Sequence, residues 1–118
     1  MTEALSFDTV LDLCQNQHRR VILAVLAEAQ GPLTVNDLAE TIVNYTHEIP
    51  VTEISEELRT PVQISLHHVH LPKLESTGVI QYDPEQHLVE PVDDFAQRVP
   101  YLSAILDADP ELKRVVKL

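Results

Sequence analysis

The sequence is poor in cysteine, glycine, lysine and tryptophan. Of its 118 residues, one is cysteine, two are glycine, three are lysine and none is tryptophan. The single cysteine, Cys14, excludes an internal disulfide and fits a reducing compartment. The glycines, Gly31 and Gly78, are too few and too far apart to form a phosphate-cradling loop.

Long hydrophobic runs are also missing. The longest one, residues 21–27, lies between Arg20 and Glu28 and is far too short to cross a bilayer. The N-terminus has neither the basic start nor the apolar core of a signal peptide. We therefore expect a cytoplasmic protein that has no membrane partner.

No set of residues with the pattern of a catalytic or metal site is evident. Ser65, Ser76 and Ser103 lack the glycine elbow of a hydrolase nucleophile, so we expect neither an enzyme nor a cofactor. Three of the six histidines cluster at positions 67, 68 and 70, but no CxxC or HExxH spacing accompanies them. We expect no metal site and interpret His67 and His68 as hydrogen-bonded flanks of the core.

Acidic residues are abundant. Nineteen acids against eight bases give a net charge of −11. Such a surface could repel nucleic acid, mimic it, or keep the protein soluble in molar salt. We favour the last explanation, because acidity and scarce lysine occur together. Net charge bears on solubility and association rather than on the fold.

The first half of the chain predicts three helices. Ser6, Asn16 and Thr34 are N-cap residues for helices ending near Leu13, Ala29 and Asn44. Within them, apolar residues recur at spacings of three and four, as in amphipathic helices. Leu33, between the second and third helix, is expected to be a short strand.

The second half predicts a helix followed by a β-hairpin. Thr60 and Pro61 suit the start of a helix, Ile64, Leu71 and Leu74 form its inner stripe, and Gly78 ends it. Strands are expected over 79–82 and 87–92. The fold is thus mainly α with a small β wing, a winged helix-turn-helix over 6–92. A helical tail over 93–118, bent at Pro100, completes one domain.

Two features depart from a compact helix-turn-helix. About fifteen residues separate the third helix from Pro61, whereas the usual turn has three or four. These residues include an acidic turn, Glu53–Leu58, whose continuity with the central helix the pattern leaves open.

The central helix has a second apolar face. On a uniform helical wheel, Val62, Leu66 and Val69 lie opposite the inner stripe. A helix that is apolar on both sides is usually buried on both sides. This face should pack against the tail or against a second copy of the chain. The expected interface residues are Val62, Leu66, Val69, Phe95, Leu102 and Ile105.

Three segments resemble a known family. LCQNQHRRVILAVL, GPLTVNDLAETI and SLHHVHLPKLESTGVIQYD resemble an uncharacterised haloarchaeal winged helix-turn-helix family, distantly similar to arsenical-repressor-type regulators. The resemblance covers about 11–92 and is most specific over 70–83. The chain departs from the family pattern at His18, where another arginine is expected, and at Pro61. The resemblance implies a winged helix, a halophilic cytoplasm and a role in transcription.

The leading hypothesis is therefore a dimeric, DNA-binding transcriptional regulator. Its expected contacts to duplex DNA are Arg19, Arg20, Arg59, Gln63, His67, His70 and Lys73. The rival hypothesis is a protein-interaction module that does not bind DNA. Its support is the charge of residues 34–94, which contain twelve acidic residues and only two basic ones. Neutralisation of phosphates by basic residues supplies most non-specific DNA affinity, and this region could supply little of it.

Overall fold

The computed structural model describes residues 3–116. Three helices form the first half: α1 (Phe7–Cys14), α2 (Gln17–Glu28) and α3 (Val35–His47). All three predicted caps are confirmed, because the side chains of Ser6, Asn16 and Thr34 each accept a hydrogen bond from a backbone N–H in the first turn. These bonds satisfy donors that have no partner within the helix.

The central helix is longer than predicted. It runs through α4 (Glu56–Ser65), a π-helical segment (Leu66–His70) and α5 (Leu71–Ser76). The second half of the acidic turn, residues 56–58, is thus part of the helix, and Pro61 lies inside α4. The prediction of a start at Thr60 and Pro61 is wrong. The connection from α3 shortens to residues 48–55, which include a 3-10 turn at Val51–Glu53.

The π-helical segment changes which side chains face inward. The Leu71 N–H donates to the carbonyl of Leu66, five residues back, so both of these leucines face the core and are 0% exposed. Pro72 lacks an N–H and its ring crowds the carbonyl four residues earlier, which disfavours a regular α-turn there. The uniform helical wheel is therefore wrong for two residues. It places Leu66 on the outer face, although Leu66 is buried, and it places Ile64 on the inner face, although Ile64 is 54% exposed.

A three-stranded antiparallel sheet forms the wing. Gly78 ends the helix with φ +79, a backbone conformation that favours glycine. The strands β1 (Leu33–Thr34), β2 (Ile80–Asp83) and β3 (Leu88–Pro91) lie in the order β1-β3-β2. Leu33 pairs with Val89, which confirms the predicted short strand. The fold is mainly α with a small sheet, in a winged-helix-like arrangement.

The tail packs on the body of its own chain. It forms three short helices, α6 (Phe95–Arg98), α7 (Leu102–Asp107) and α8 (Leu112–Val115). Leu112 is 0% exposed and belongs to the main core. Phe95, Leu102 and Leu66 are buried in the same core, which for these three residues favours packing within the chain over contact with a second copy. Val62 and Ile105 are half-buried against it, and Val69 is exposed.

Polar contacts fix the tail to α2 and α3 at a place that we call the tail seam, formed by Arg20, Asn44, Tyr45, Asp109 and Arg114. Asp109 accepts hydrogen bonds from Arg20 Nε at 3.1 Å and from Tyr45 Oη at 2.6 Å. Arg114 donates to the backbone carbonyls of Asn44 (3.0 Å) and Tyr45 (3.2 Å). These carbonyls lie near the C-terminus of α3, where the helix dipole favours a cation.

Candidate nucleic-acid interface

A groove of about 780 Å³ opens between the central helix, the wing and the start of α3. In a winged helix, this is the side on which the second helix of the helix-turn-helix and the wing face a ligand together. We call it the α4–wing groove. Its lining residues are Val35, Asn36, Thr60, Gln63, Ile64, His67, His68, Tyr82, Pro84 and His87.

One stripe of the central helix forms a wall of the groove. Thr60, Gln63, Ile64, His67 and His68 follow each other at spacings of three, one, three and one. Residues three and four apart lie on the same helix face. The stripe thus presents a hydroxyl, an amide, two imidazoles and one aliphatic side chain on the groove side of the helix.

Gln63 is held by a side chain of α3. Its Nε2 donates to Asn36 Oδ1 at 3.1 Å, and Asn36 Nδ2 donates in turn to Glu40 Oε1 at 3.4 Å. Asn36 lies at the second position of α3 and is exposed. The amide of Gln63 therefore has a preferred orientation, and its carbonyl oxygen and second N–H are left for other partners.

Three ring side chains connect the helix to the wing. His67 Nδ1 forms a short hydrogen bond with Tyr82 Oη of β2, and His67 Nε2 lies 3.2 Å from His87 Nδ1. His87 precedes β3 with φ +56. Its carbonyl accepts from Val35 N at 2.9 Å, which fixes the wing against α3.

The same environment keeps His67 neutral. Burial lowers the pKa of His67, and the neighbouring imidazoles of His87 and His68 lower it further. A neutral imidazole has one donor and one acceptor nitrogen. Tyr82 and His87 occupy both of them, so His67 links helix and wing as an uncharged group.

The groove lining contains no arginine, lysine, aspartate or glutamate, although the chain carries 27 such residues (8 basic and 19 acidic). The acids of the wing strands and turn, Asp83, Glu85 and Glu90, lie outside the lining. The Asp83 carboxylate instead accepts from the backbone N–H groups of Glu85 and Gln86, both at 3.1 Å. An uncharged surface is thus set into a strongly acidic protein.

Of the seven predicted DNA contacts, the groove contains Gln63 and His67. Arg19 is 8% exposed, and its guanidinium donates to the carbonyls of Leu13 (2.9 Å) and Asp12 (3.1 Å), where it caps the C-terminal end of α1. Arg20 belongs to the tail seam. These two arginines hold helices together and are not gathered at the groove.

The other three predicted contacts also lie outside the lining. Arg59 pairs with Glu40 at 3.1 Å, and Lys73 pairs with Asp12 at 3.0 Å. His70 is 4% exposed, and its buried Nδ1 has no hydrogen-bond partner among the described residues. Burial, together with the charges of His18, Arg19 and Lys73, lowers the pKa of His70 to about 4.

Five polar or aromatic groove residues were not among the predicted contacts: Asn36, Thr60, His68, Tyr82 and His87. Asn36 could have been found, because it follows the predicted N-cap Thr34 by two residues and is polar. The participation of His87 depends on how the wing folds over the helix, and no local pattern encodes that.

Residues 3–116 contain no cluster of three or more His, Cys, Asp or Glu side chains that could hold a metal ion. In the same range, no helix is long and apolar enough to cross a membrane.

Comparison with known proteins gives one match. No curated protein and no solved structure matches the chain. A family model matches residues 11–90, which is most of the chain and includes the second half of α1, all of α2 and α3, the central helix and nearly all of the wing. The chain belongs to the family described as Domain of unknown function (DUF7344).

Proposed function

We propose that this protein is a winged-helix transcriptional regulator that binds duplex DNA through the α4–wing groove, as a dimer in a cytoplasm of high salt. The observation that carries the proposal is the uncharged lining of the groove. In a chain of net charge −11, the stripe of the central helix that lines the groove presents hydrogen-bonding groups and no carboxylate.

The lining suits base edges better than phosphates. Amides, hydroxyls and neutral imidazoles can donate to and accept from the groups exposed in the major groove. Phosphate attraction contributes little, because all five arginines and Lys73 donate to carboxylates or carbonyls of the protein itself. Recognition therefore depends on short-range contacts, which molar salt weakens less than it weakens long-range attraction.

A high-salt cytoplasm is supported by composition. The chain has nineteen acids and three lysines, and its one cysteine is buried and free. Burial raises the pKa of Cys14, which keeps the thiol protonated. The resemblance of the sequence to haloarchaeal winged helix-turn-helix domains, and distantly to arsenical-repressor-type regulators, is a further part of what we propose.

A dimer would place two grooves on one duplex. Winged-helix and helix-turn-helix regulators that bind as two-fold dimers contact half-sites about one helical turn apart. After the tail has folded onto the body, Val69 is the one predicted interface residue that stays largely exposed, at 51%. Val69→Asp should therefore dissociate the dimer, and light scattering measures that change in mass. An unchanged mass would remove Val69 from the interface.

The second candidate function is a protein-interaction module. It is favoured by the wing, whose strands and turn carry three acids and no arginine or lysine. Exposed Ile64 and Val69 on the central helix would contribute apolar contact to a protein partner. This candidate predicts that DNA is not bound at any salt concentration.

Fluorescence anisotropy separates the two functions. Labelled duplex from the region upstream of the protein's own gene, and a scrambled duplex, are titrated in KCl from about 0.1 M to about 2 M. Binding that prefers the upstream duplex is expected. Since the groove lining has no arginine or lysine, the slope of log affinity against log salt should be shallow, no steeper than about −3.

Two results would contradict the proposal. A slope of about −6 or steeper would mean that the arginines leave their partners to bind phosphates, which contradicts readout through an uncharged groove. No binding at the lowest salt concentration at which circular dichroism shows a folded protein would establish the interaction module instead.

A further inference from the structure

The groove lining restricts which bases can be read. Arginine and lysine are the usual partners of guanine in the major groove, and aspartate and glutamate accept from cytosine. Asparagine and glutamine pair with adenine, and apolar side chains contact the thymine methyl group. The α4–wing groove has Asn36, Gln63 and Ile64 but none of the four charged residue types.

From this chemistry, and resting on the proposed function, we propose that the α4–wing groove selects A·T base pairs. Gln63 pairs with adenine, and Ile64 contacts the methyl group of the adjacent thymine. Both residues are consecutive on the exposed stripe of α4, so one helix turn presents the two contacts to neighbouring base pairs.

Gln63 is oriented for this role. Asn36 Oδ1 accepts one N–H of the amide at 3.1 Å, and that contact restricts the side-chain torsions. The carbonyl oxygen and second N–H that remain match the donor N6 and acceptor N7 of adenine. A side chain restrained before binding loses less conformational entropy when it binds.

Ile64 supplies the apolar half of the contact. Its side chain is 54% exposed, next to Gln63, on a stripe whose other members are polar. A thymine methyl group that packs against Ile64 is removed from water, and the transfer free energy of that one methyl group favours binding. Neither nitrogen of His67 is available to compete for a base, because Tyr82 and His87 occupy them.

Selection from a randomised duplex pool tests the base preference. The full-length protein, at a fixed KCl concentration at which it is folded, is used to enrich bound duplexes over several rounds. We expect the enriched core to consist of A·T pairs. A core of G·C pairs would overturn this inference but leave DNA binding intact. Failure to enrich any sequence would overturn the proposed function and this inference together.

Base analogues in the enriched duplex then test the two contacts. Replacing thymine with deoxyuridine removes the methyl group and should weaken wild-type binding about fourfold. Replacing adenine with 7-deazaadenine removes N7, and its effect should fall within the roughly 5- to 140-fold range of a bidentate base contact. If neither replacement changes the anisotropy titration, the inference is overturned.

Variants assign each contact to its residue. Ile64→Ala should bind the thymine and deoxyuridine duplexes equally, and Gln63→Ala should not distinguish adenine from 7-deazaadenine. Glu57→Gln is the matched control, because Glu57 is exposed on the same helix but lies outside the groove lining. A fourfold thymine effect that persists in Ile64→Ala would contradict the assignment.

Discussion

The tail seam and the α4–wing groove use polar side chains in opposite ways. At the tail seam, charged groups from α2, α8 and the loop before it are paired across elements far apart in sequence, such as Arg20 with Asp109. In the groove, neutral groups from α3, α4 and the wing form hydrogen bonds such as Gln63–Asn36. The protein thus uses its arginines and Lys73 to hold itself together and leaves the lining of the α4–wing groove uncharged.

This comparison explains how an acidic chain can offer a nucleic-acid surface. An arginine engaged with a carbonyl or carboxylate stabilises the fold but contributes no attraction to phosphate. A groove without carboxylates, in turn, does not repel a duplex at close range. The two regions can therefore be perturbed separately, and each of the following changes should affect one of them.

The largest effect is expected where the tail meets the core. Leu112→Ala should lower the free energy of unfolding by about 2–5 kcal/mol, because it removes a fully buried side chain and leaves a cavity. Urea titration followed by circular dichroism measures the change. Lys113→Ala, one residue along and exposed, is the control and should change it by less than about 0.5 kcal/mol. Equal stabilities would show that the tail is separable from the body.

The second-largest effect on the free energy of unfolding is expected at the tail seam. Asp109→Ala removes the acceptor shared by Arg20 and Tyr45, and should cost about 1–3 kcal/mol of unfolding free energy. DNA affinity should be unchanged, since the residue lies outside the groove. Asp107→Ala, two residues earlier and exposed, is the control. A loss of DNA affinity in Asp109→Ala without a loss of stability would contradict the separation of the two regions.

Acid should weaken the same seam. Burial acts to raise the pKa of Asp109, but hydrogen bonds from Tyr45 and Arg20 outweigh it and hold the pKa below its ordinary value of 3.8. The carboxylate therefore contributes stability above pH 3.8, and that contribution is lost as the pH falls through the lower folded value.

How much of this could be read from the sequence depends on how local each feature is. The caps at Ser6, Asn16 and Thr34 were predicted correctly, because a cap involves three or four consecutive residues. Gly78 and the hairpin after it are local in the same way. These features were enough to predict a mainly α fold with a small wing.

The errors arise where the chain departs from regular geometry or depends on distant partners. A uniform wheel cannot foresee the π-helical segment, so it misplaced Ile64 and Leu66. The arginines were assigned to DNA because their acidic and carbonyl partners, such as Asp109 for Arg20, lie up to 89 residues away. Only two of the ten residues that line the groove, Gln63 and His67, were predicted as contacts, and they share a helix.

The third effect concerns His70, which is buried within the central helix and lies outside the groove lining. Its pKa of about 4 lies below the ordinary value of 6.5, so the unfolded chain takes up a proton first as pH falls. Stability should fall between pH 6.5 and 4, with a slope of up to about 1.4 kcal/mol per pH unit from this group.

Urea titrations at several pH values measure that slope. His70→Leu should flatten it, because leucine takes up no proton. His68→Gln is the control, since His68 is exposed in the groove, and its slope should match the wild type. A slope unchanged by His70→Leu would assign the pH dependence to another group, such as His18, whose pKa is also lowered by burial.

The smallest effect is expected at Lys73. Its ammonium group pairs with Asp12 at 3.0 Å, but both side chains are more than a third exposed, so Lys73→Gln should cost at most about 1 kcal/mol of unfolding free energy. Because Lys73 lies outside the groove lining, anisotropy should show DNA affinity within about twofold of wild type. Gln63→Ala provides the contrast, with a loss of binding and unchanged stability. A large loss of affinity in Lys73→Gln alone would restore Lys73 as a phosphate contact and extend the DNA surface toward α1.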